Sequence, residues 1–166
     1  MIIALLFLLV GDVFLLEGFS FYYFTIGLLA FLFANIAYSY LLYRSAQFGV
    51  TKSVPFLILS SLYILTIYYF IYDNSQGYFV LILIYSFVVL NMLQSAYLRY
   101  KIVNMKSFYM VFIGALLFTI SESILALNMF HKPIPYKNIW IMLFYGIGQL
   151  LIVQGVLAEQ KKFRRF

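Results

Sequence analysis

Residues Phe108–Phe130 read FYMVFIGALLFTISESILALNMF, a run of 23 residues in which Glu122 is the single charged side chain. About 20 apolar residues let an α-helix cross the hydrocarbon core of a bilayer. The run is apolar on every side, whereas a barrel strand would alternate with period two, so it predicts a helix. Working outward, five further runs fit the same description: Met1–Glu17, Phe21–Arg44, Pro55–Asp73, Tyr78–Tyr100 and Ile139–Gln160. The expected architecture is all-α, a polytopic transmembrane bundle of six spans. It forms a single domain over residues 1–166 with a basic tail at 161–166.

Composition agrees. Of 166 residues 66% are apolar, 22% aromatic and 10% charged, against roughly 45–50% apolar and about 25% charged in an ordinary soluble domain. So few charges cannot cover a water-soluble globule of this size, which excludes a soluble enzyme, a disordered chain and a nucleic-acid binder. The absence of Cys excludes disulfide and thiolate chemistry. One His and five carboxylates leave few ways to build a metal site, and neither a metal nor an organic cofactor is expected. No phosphate-cradling glycine loop, HExxH or nucleophile-elbow motif is present.

Ser20, Ser53, Ser107 and Asn138 stand at or just before the apolar runs and are expected to cap their helices. Pro55 suits a first turn. With six spans, nine of the eleven cations share one side: Arg44, Lys52, Arg99, Lys101, Lys106, Lys161, Lys162, Arg164 and Arg165. Lys132 and Lys137 face the other, with Glu17 and Asp73. The positive-inside bias places both termini in the cytoplasm, and the tail KKFRRF reads as a topology signal that touches anionic lipid head groups. The expected location is the inner membrane of a bacterium. The first run is the shortest and follows Met1 at once, without a basic leader region. A shortened start is therefore expected, with either further apolar spans upstream or an oligomeric partner covering the first helix.

Ionisable groups inside spans are costly and point to function. Asp12 and Glu122 qualify, while Glu17, Asp73 and Glu159 lie at span ends, where water solvates them. Counting along each helix puts Asp12 and Glu122 about 8–12 Å below the outer boundary and Gln149 roughly 15 Å below it. Tyr145 stands one turn from Gln149 on the same face. Two carboxylates, an amide and a phenol thus share one slab. Asn35 and Tyr38 share a face of the second span, and Asn91, Gln94 and Ser95 one of the fourth; Asn and Gln in such places commonly bridge helices. The acids differ, because with no buried Lys or Arg beside them at least one must keep its proton. Gly114, Ala115, Ser121, Ser123 and Ala126 on the fifth span, and Gly146, Gly148 and Gly155 on the sixth, read as sites of close backbone approach.

The order of these motifs resembles the YhhN family of membrane proteins, which includes the lysoplasmalogenases. The matching pieces are Gly11-Asp12-Val13, FTIGLLAFLFANIAY from Phe24 to Tyr38, Tyr85 and Met92, GALLFTISESILALNMF from Gly114 to Phe130, and YGIGQLLIVQG from Tyr145 to Gly155. They cover nearly the whole chain. Where the family usually has His, Asp and Ala, this chain has Asn35, Glu122 and Gly148, and the family usually has eight spans. The resemblance implies hydrolysis of the alkenyl ether bond of a lysoplasmalogen, a single-chain lysophospholipid entering from the bilayer. It also implies Asp12 and Glu122 as catalytic residues, with Asn35, Tyr38, Tyr85, Ser121, Tyr145 and Gln149 lining the substrate. The residues suit that chemistry on their own, since a vinyl ether is cleaved by one acid that donates a proton and one carboxylate that orients water. The apolar neighbours Ile120, Ile124 and Leu125 favour Glu122 as the donor, while Val10 and Val13 beside Asp12 leave the exchanged roles open. A proton-coupled carrier would also bury acids, but usually shows repeats and broken helices. A structural homologue without activity is the third class.

Overall fold

The computed structural model describes residues 1–16 and 21–163. Among them the chain forms six α-helices: α1 (Ile2–Leu16), α2 (Phe21–Tyr43), α3 (Val50–Ile71), α4 (Phe79–Tyr97), α5 (Met105–Phe130) and α6 (Lys137–Phe163). Two short 3₁₀ turns, Tyr72–Asn74 and Gln76–Tyr78, join α3 to α4. No strand occurs among the described residues. Helices α2 to α6 are each long and apolar enough to cross a membrane. The 15 described residues of α1 cover about 22 Å of a hydrocarbon core of roughly 30 Å, and residues 17–20 lie outside the described residues.

The helix starts differ from the expected caps. Helix α3 begins behind Gly49, whose backbone is extended, so Ser53 lies inside the helix and Pro55 is its sixth residue. The Ser53 hydroxyl is buried without a partner among the described residues. At α5 the cap is Asn104, whose side chain accepts from the Ser107 N–H at 2.6 Å, so Ser107 is the capped residue rather than the cap. Asn138 sits in the first turn of α6, after Lys137. Ser20 lies outside the described residues, as do Glu17 and the last three residues of the tail. The shifts share one cause: lipid thickness sets the apolar run, while backbone hydrogen bonding carries the helix on past it.

Glycine brings two helix pairs together. A Cβ on Gly114 would lie 2.7 Å from the Gly148 carbonyl oxygen and 2.9 Å from the Ile152 nitrogen, and one on Gly155 would lie 2.6 Å from Val111 Cγ2. Only hydrogen fits at these positions, so α5 and α6 pack backbone to backbone, as small residues allow in lipid. Gly146 does not belong to this set, because a Cβ there would meet nothing within 4 Å. Hydroxyls stitch the same seam, Ser107 Oγ donating to the Gly155 carbonyl at 2.7 Å and Ser121 Oγ to the Ile141 carbonyl at 3.0 Å. Helices α1 and α2 approach similarly at Gly11 and Gly27. Helix α3 packs loosely: among its described side chains only Ile71 is fully buried.

One buried charge was not expected. Arg99, read as a membrane-edge cation, is fully buried and donates to Glu159 at 2.6 Å and to Ser107 Oγ at 3.1 Å. Glu159 is therefore an ion-pair partner and not a solvated helix end. Burial pushes the guanidinium pKa down from its ordinary value, and the Glu159 carboxylate opposes that shift. The pair ties the α4–α5 connection to α6.

Candidate active site

The site is built outward from the α1–α2 contact at Gly11. At Gly11 the missing side chain lets the Phe31 ring of α2 lie against α1, within 3.1 Å of where a Cβ would stand. Phe31 in turn meets the Tyr145 ring of α6 edge-on, with centroids 6.2 Å apart. One residue after Gly11, Asp12 accepts a hydrogen bond from the Tyr145 hydroxyl at 2.8 Å. One turn further along α6, Gln149 Oε1 accepts from the fully buried Tyr38 at 2.8 Å. The expectation that Tyr145 and Gln149 share a working face of α6 thus takes a definite form, with each residue bridging to a different helix.

Glu122 is held the same way from another side. The Tyr85 hydroxyl on α4 donates to Glu122 Oε2 at 2.7 Å. Asn35 on α2 lies beside Tyr85 and donates to its own helix at the Phe31 carbonyl, 2.9 Å away. Asp12 and Glu122 are close enough for their charges to act on each other, and Tyr145 senses both. Each acid has a phenol as its hydrogen-bond donor and no cation at hand. The single buried cation among the described residues is Arg99, which is engaged with Glu159. Asn35 Oδ1 and Gln149 Nε2 are buried and lack a partner among the described residues, so the site holds unused hydrogen-bonding capacity.

Beside Glu122 lies a partly open, mainly apolar pocket. Its walls come from α2 (Phe24, Leu28), α3 (Ile67), α4 (Ile82, Val89) and α5 (Met129), with Tyr63, Tyr85, Ser86, Glu122 and Ser123 as its polar members. Among the described residues no three His, Asp or Glu side chains gather as metal ligands would. The arrangement of two carboxylates and their phenols is suited to moving protons next to an apolar chain.

Of the expected site residues, Asp12, Asn35, Tyr38, Tyr85, Glu122, Tyr145 and Gln149 come together in two linked groups. Ser121 does not join them. Successive helix positions are turned about 100° from each other, so Ser121, next to Glu122 in sequence, faces α6 and serves the seam there. Sequence reasoning missed Tyr63, which lines the pocket and hydrogen-bonds Ser123. As one of sixteen tyrosines, in a run of apolar neighbours, it carries no local mark.

Residues 1–156 match the YhhN family. The chain belongs to that family. A human protein named lysoplasmalogenase TMEM86B is 44% identical over 46 residues, covering 28% of this chain and 20% of that protein. A bovine protein named lysoplasmalogenase TMEM86A is 31% identical over 170 positions, covering 96% of this chain and 65% of that protein. The chain therefore spans less than two-thirds of the length of these curated relatives. No solved structure matches it. As a YhhN-family chain with five long apolar helices, this is an integral membrane protein.

Proposed function

We propose that this protein is a lysoplasmalogenase-like membrane hydrolase, cleaving the alkenyl ether bond of a lysoplasmalogen. The observation that carries the reading is Glu122, a carboxyl group on the wall of an apolar pocket, within charge range of Asp12 and with no cation against it among the described residues. The YhhN membership and the printed names of the relatives support the same substrate class.

The proposed chemistry uses both acids. The alkenyl chain lies among Leu28, Ile82, Val89 and Met129, and its double bond meets Glu122. The protonated Glu122 gives its proton to the β-carbon, leaving an oxocarbenium cation at the α-carbon. Asp12, as carboxylate, offsets that positive charge and takes a proton from the water that attacks the α-carbon. The hemiacetal so formed collapses to a fatty aldehyde and a glycerophospho-alcohol. The Tyr85 and Tyr145 hydroxyls hold the two carboxyl groups in place, so the proton donor and the water-orienting base are set before the substrate arrives. Glu122 lines the pocket and Asp12 does not, which supports Glu122 as the donor.

The experiment is direct. The purified protein incubated with a lysoplasmalogen should release aldehyde, and an intact substrate after prolonged incubation would contradict the reading. The proposal extends to topology: six spans with both termini cytoplasmic, on the basis of the cation asymmetry. A reporter active only in the cytoplasm, fused after Phe166, should be active.

A further inference from the structure

The pocket's polar end has a donor and acceptor pattern that the acid pair does not account for. Tyr63, on the loosely packed α3, hydrogen-bonds Ser123 of α5. Ser123 Oγ also approaches the Thr119 carbonyl at 2.6 Å, and a carbonyl can only accept. A hydroxyl has one proton, so the Ser123 proton goes to Thr119 and Tyr63 must be the donor to Ser123. The Tyr63 proton is therefore committed, and its oxygen can offer the pocket only a lone pair. The Tyr85 proton is likewise committed to Glu122, but the Tyr85 oxygen has Asn35 beside it. Tyr63 is thus the phenol oxygen open to a ligand, close enough to Glu122 to feel its charge.

Resting on the hydrolase reading above, we propose that Tyr63 is a specificity-determining residue that accepts a hydrogen bond from the free glycerol hydroxyl of a single-chain ether lipid. In such a lipid the hydroxyl stands a few bonds from the reacting double bond. Its receptor should then lie near the proton donor, and Tyr63 meets Ser123, the residue that follows Glu122. A lipid whose second hydroxyl is acylated has no proton to give there and would meet an oxygen that can only accept. The Tyr63–Ser123–Thr119 chain fixes the direction of every proton in advance, and so separates the lyso form from the diacyl form.

The test uses the full-length protein in detergent and two saturated ether lysophospholipids that cannot be hydrolysed, one with its free hydroxyl and one with that hydroxyl methylated. The free-hydroxyl lipid should bind about 5–10-fold more tightly, the value of one neutral hydrogen bond. Tyr63→Phe should erase the preference by weakening the hydroxyl lipid alone. Ser123→Ala releases the Tyr63 proton to donate to the methyl ether oxygen, so the preference should shrink because the methylated lipid improves. Equal or undetectable binding of both lipids to the natural protein would overturn the proposal. So would a Tyr63→Phe loss shared equally by both lipids, as a purely structural role requires, or a preference removed only by improved binding of the methylated lipid. Aldehyde release from the vinyl ether lysolipid is followed on the same preparation. Its absence contradicts the hydrolase reading, whereas aldehyde release without the binding preference contradicts the Tyr63 assignment alone.

Discussion

Glu122 and Glu159 are the same residue type on neighbouring helices, and the protein holds them in opposite ways. Glu159 meets a fully buried guanidinium at 2.6 Å, which is itself anchored to Ser107. Glu122 meets a phenol at 2.7 Å and a second carboxylate within charge range. A carboxylate paired with a buried Arg is needed where it stands, because removing either partner strands the other charge in a medium that solvates it poorly. A carboxyl group held by a neutral donor and crowded by another acid is free to exchange its proton. On the proposed reading the contrast separates an acid that fastens helices from one that performs chemistry, and burial alone does not distinguish them.

The comparison can be broken most forcefully at the acid pair. Asp12→Asn should reduce aldehyde release about 10²–10⁴-fold, the usual loss when one member of a general acid–base pair is removed. Adding Glu122→Gln to it should cost little more, because the two act as a unit. Single-turnover rates per folded protein check both statements. At the other end, Arg99→Met should destabilise the bundle by about 3–5 kcal/mol by leaving Glu159 unpaired. A double Arg99→Met, Glu159→Leu variant should recover most of that, as measured by denaturation in detergent. Smaller again is Tyr85→Phe, which removes one hydrogen bond to Glu122 and should slow turnover about 10–100-fold if that bond is to a charged or charging group. Smallest is a glycine pair. Gly114→Ala forces a methyl against the Gly148 carbonyl and should cost about 1–3 kcal/mol, whereas Gly146→Ala, open on that side, should leave stability within about 0.5 kcal/mol of the original.

What was readable from sequence follows from which residues carry a local mark. The helices were readable because lipid demands long apolar runs, and each of the six is found close to its expected place. Asp12 and Glu122 were readable because a carboxylate within such a run is costly, and Tyr145 and Gln149 because their spacing puts them on one face. The Arg99–Glu159 pair was not, since an end-of-helix cation and an end-of-helix acid 60 residues apart look solvated until the fold joins them. The caps failed for a related reason: Ser53 and Ser107 mark where apolar character begins, while Gly49 and Asn104 mark where the backbone turns. Tyr63 escaped notice because its mark is the hydrogen bond to Ser123 on α5, and no periodicity within α3 encodes that partner.

The central claim is that Glu122 does chemistry while Glu159 holds structure, and one paired measurement tests it. Glu122→Gln and Glu159→Gln are prepared side by side, and each is assayed for aldehyde release per folded protein and for thermal stability in the same detergent. The account predicts that Glu122→Gln loses activity about 10²-fold or more while keeping its stability, and that Glu159→Gln loses stability while each folded molecule keeps its activity. If both variants instead lose stability together, with activity falling only in proportion to folded protein, then Glu122 is a structural acid and the account is contradicted.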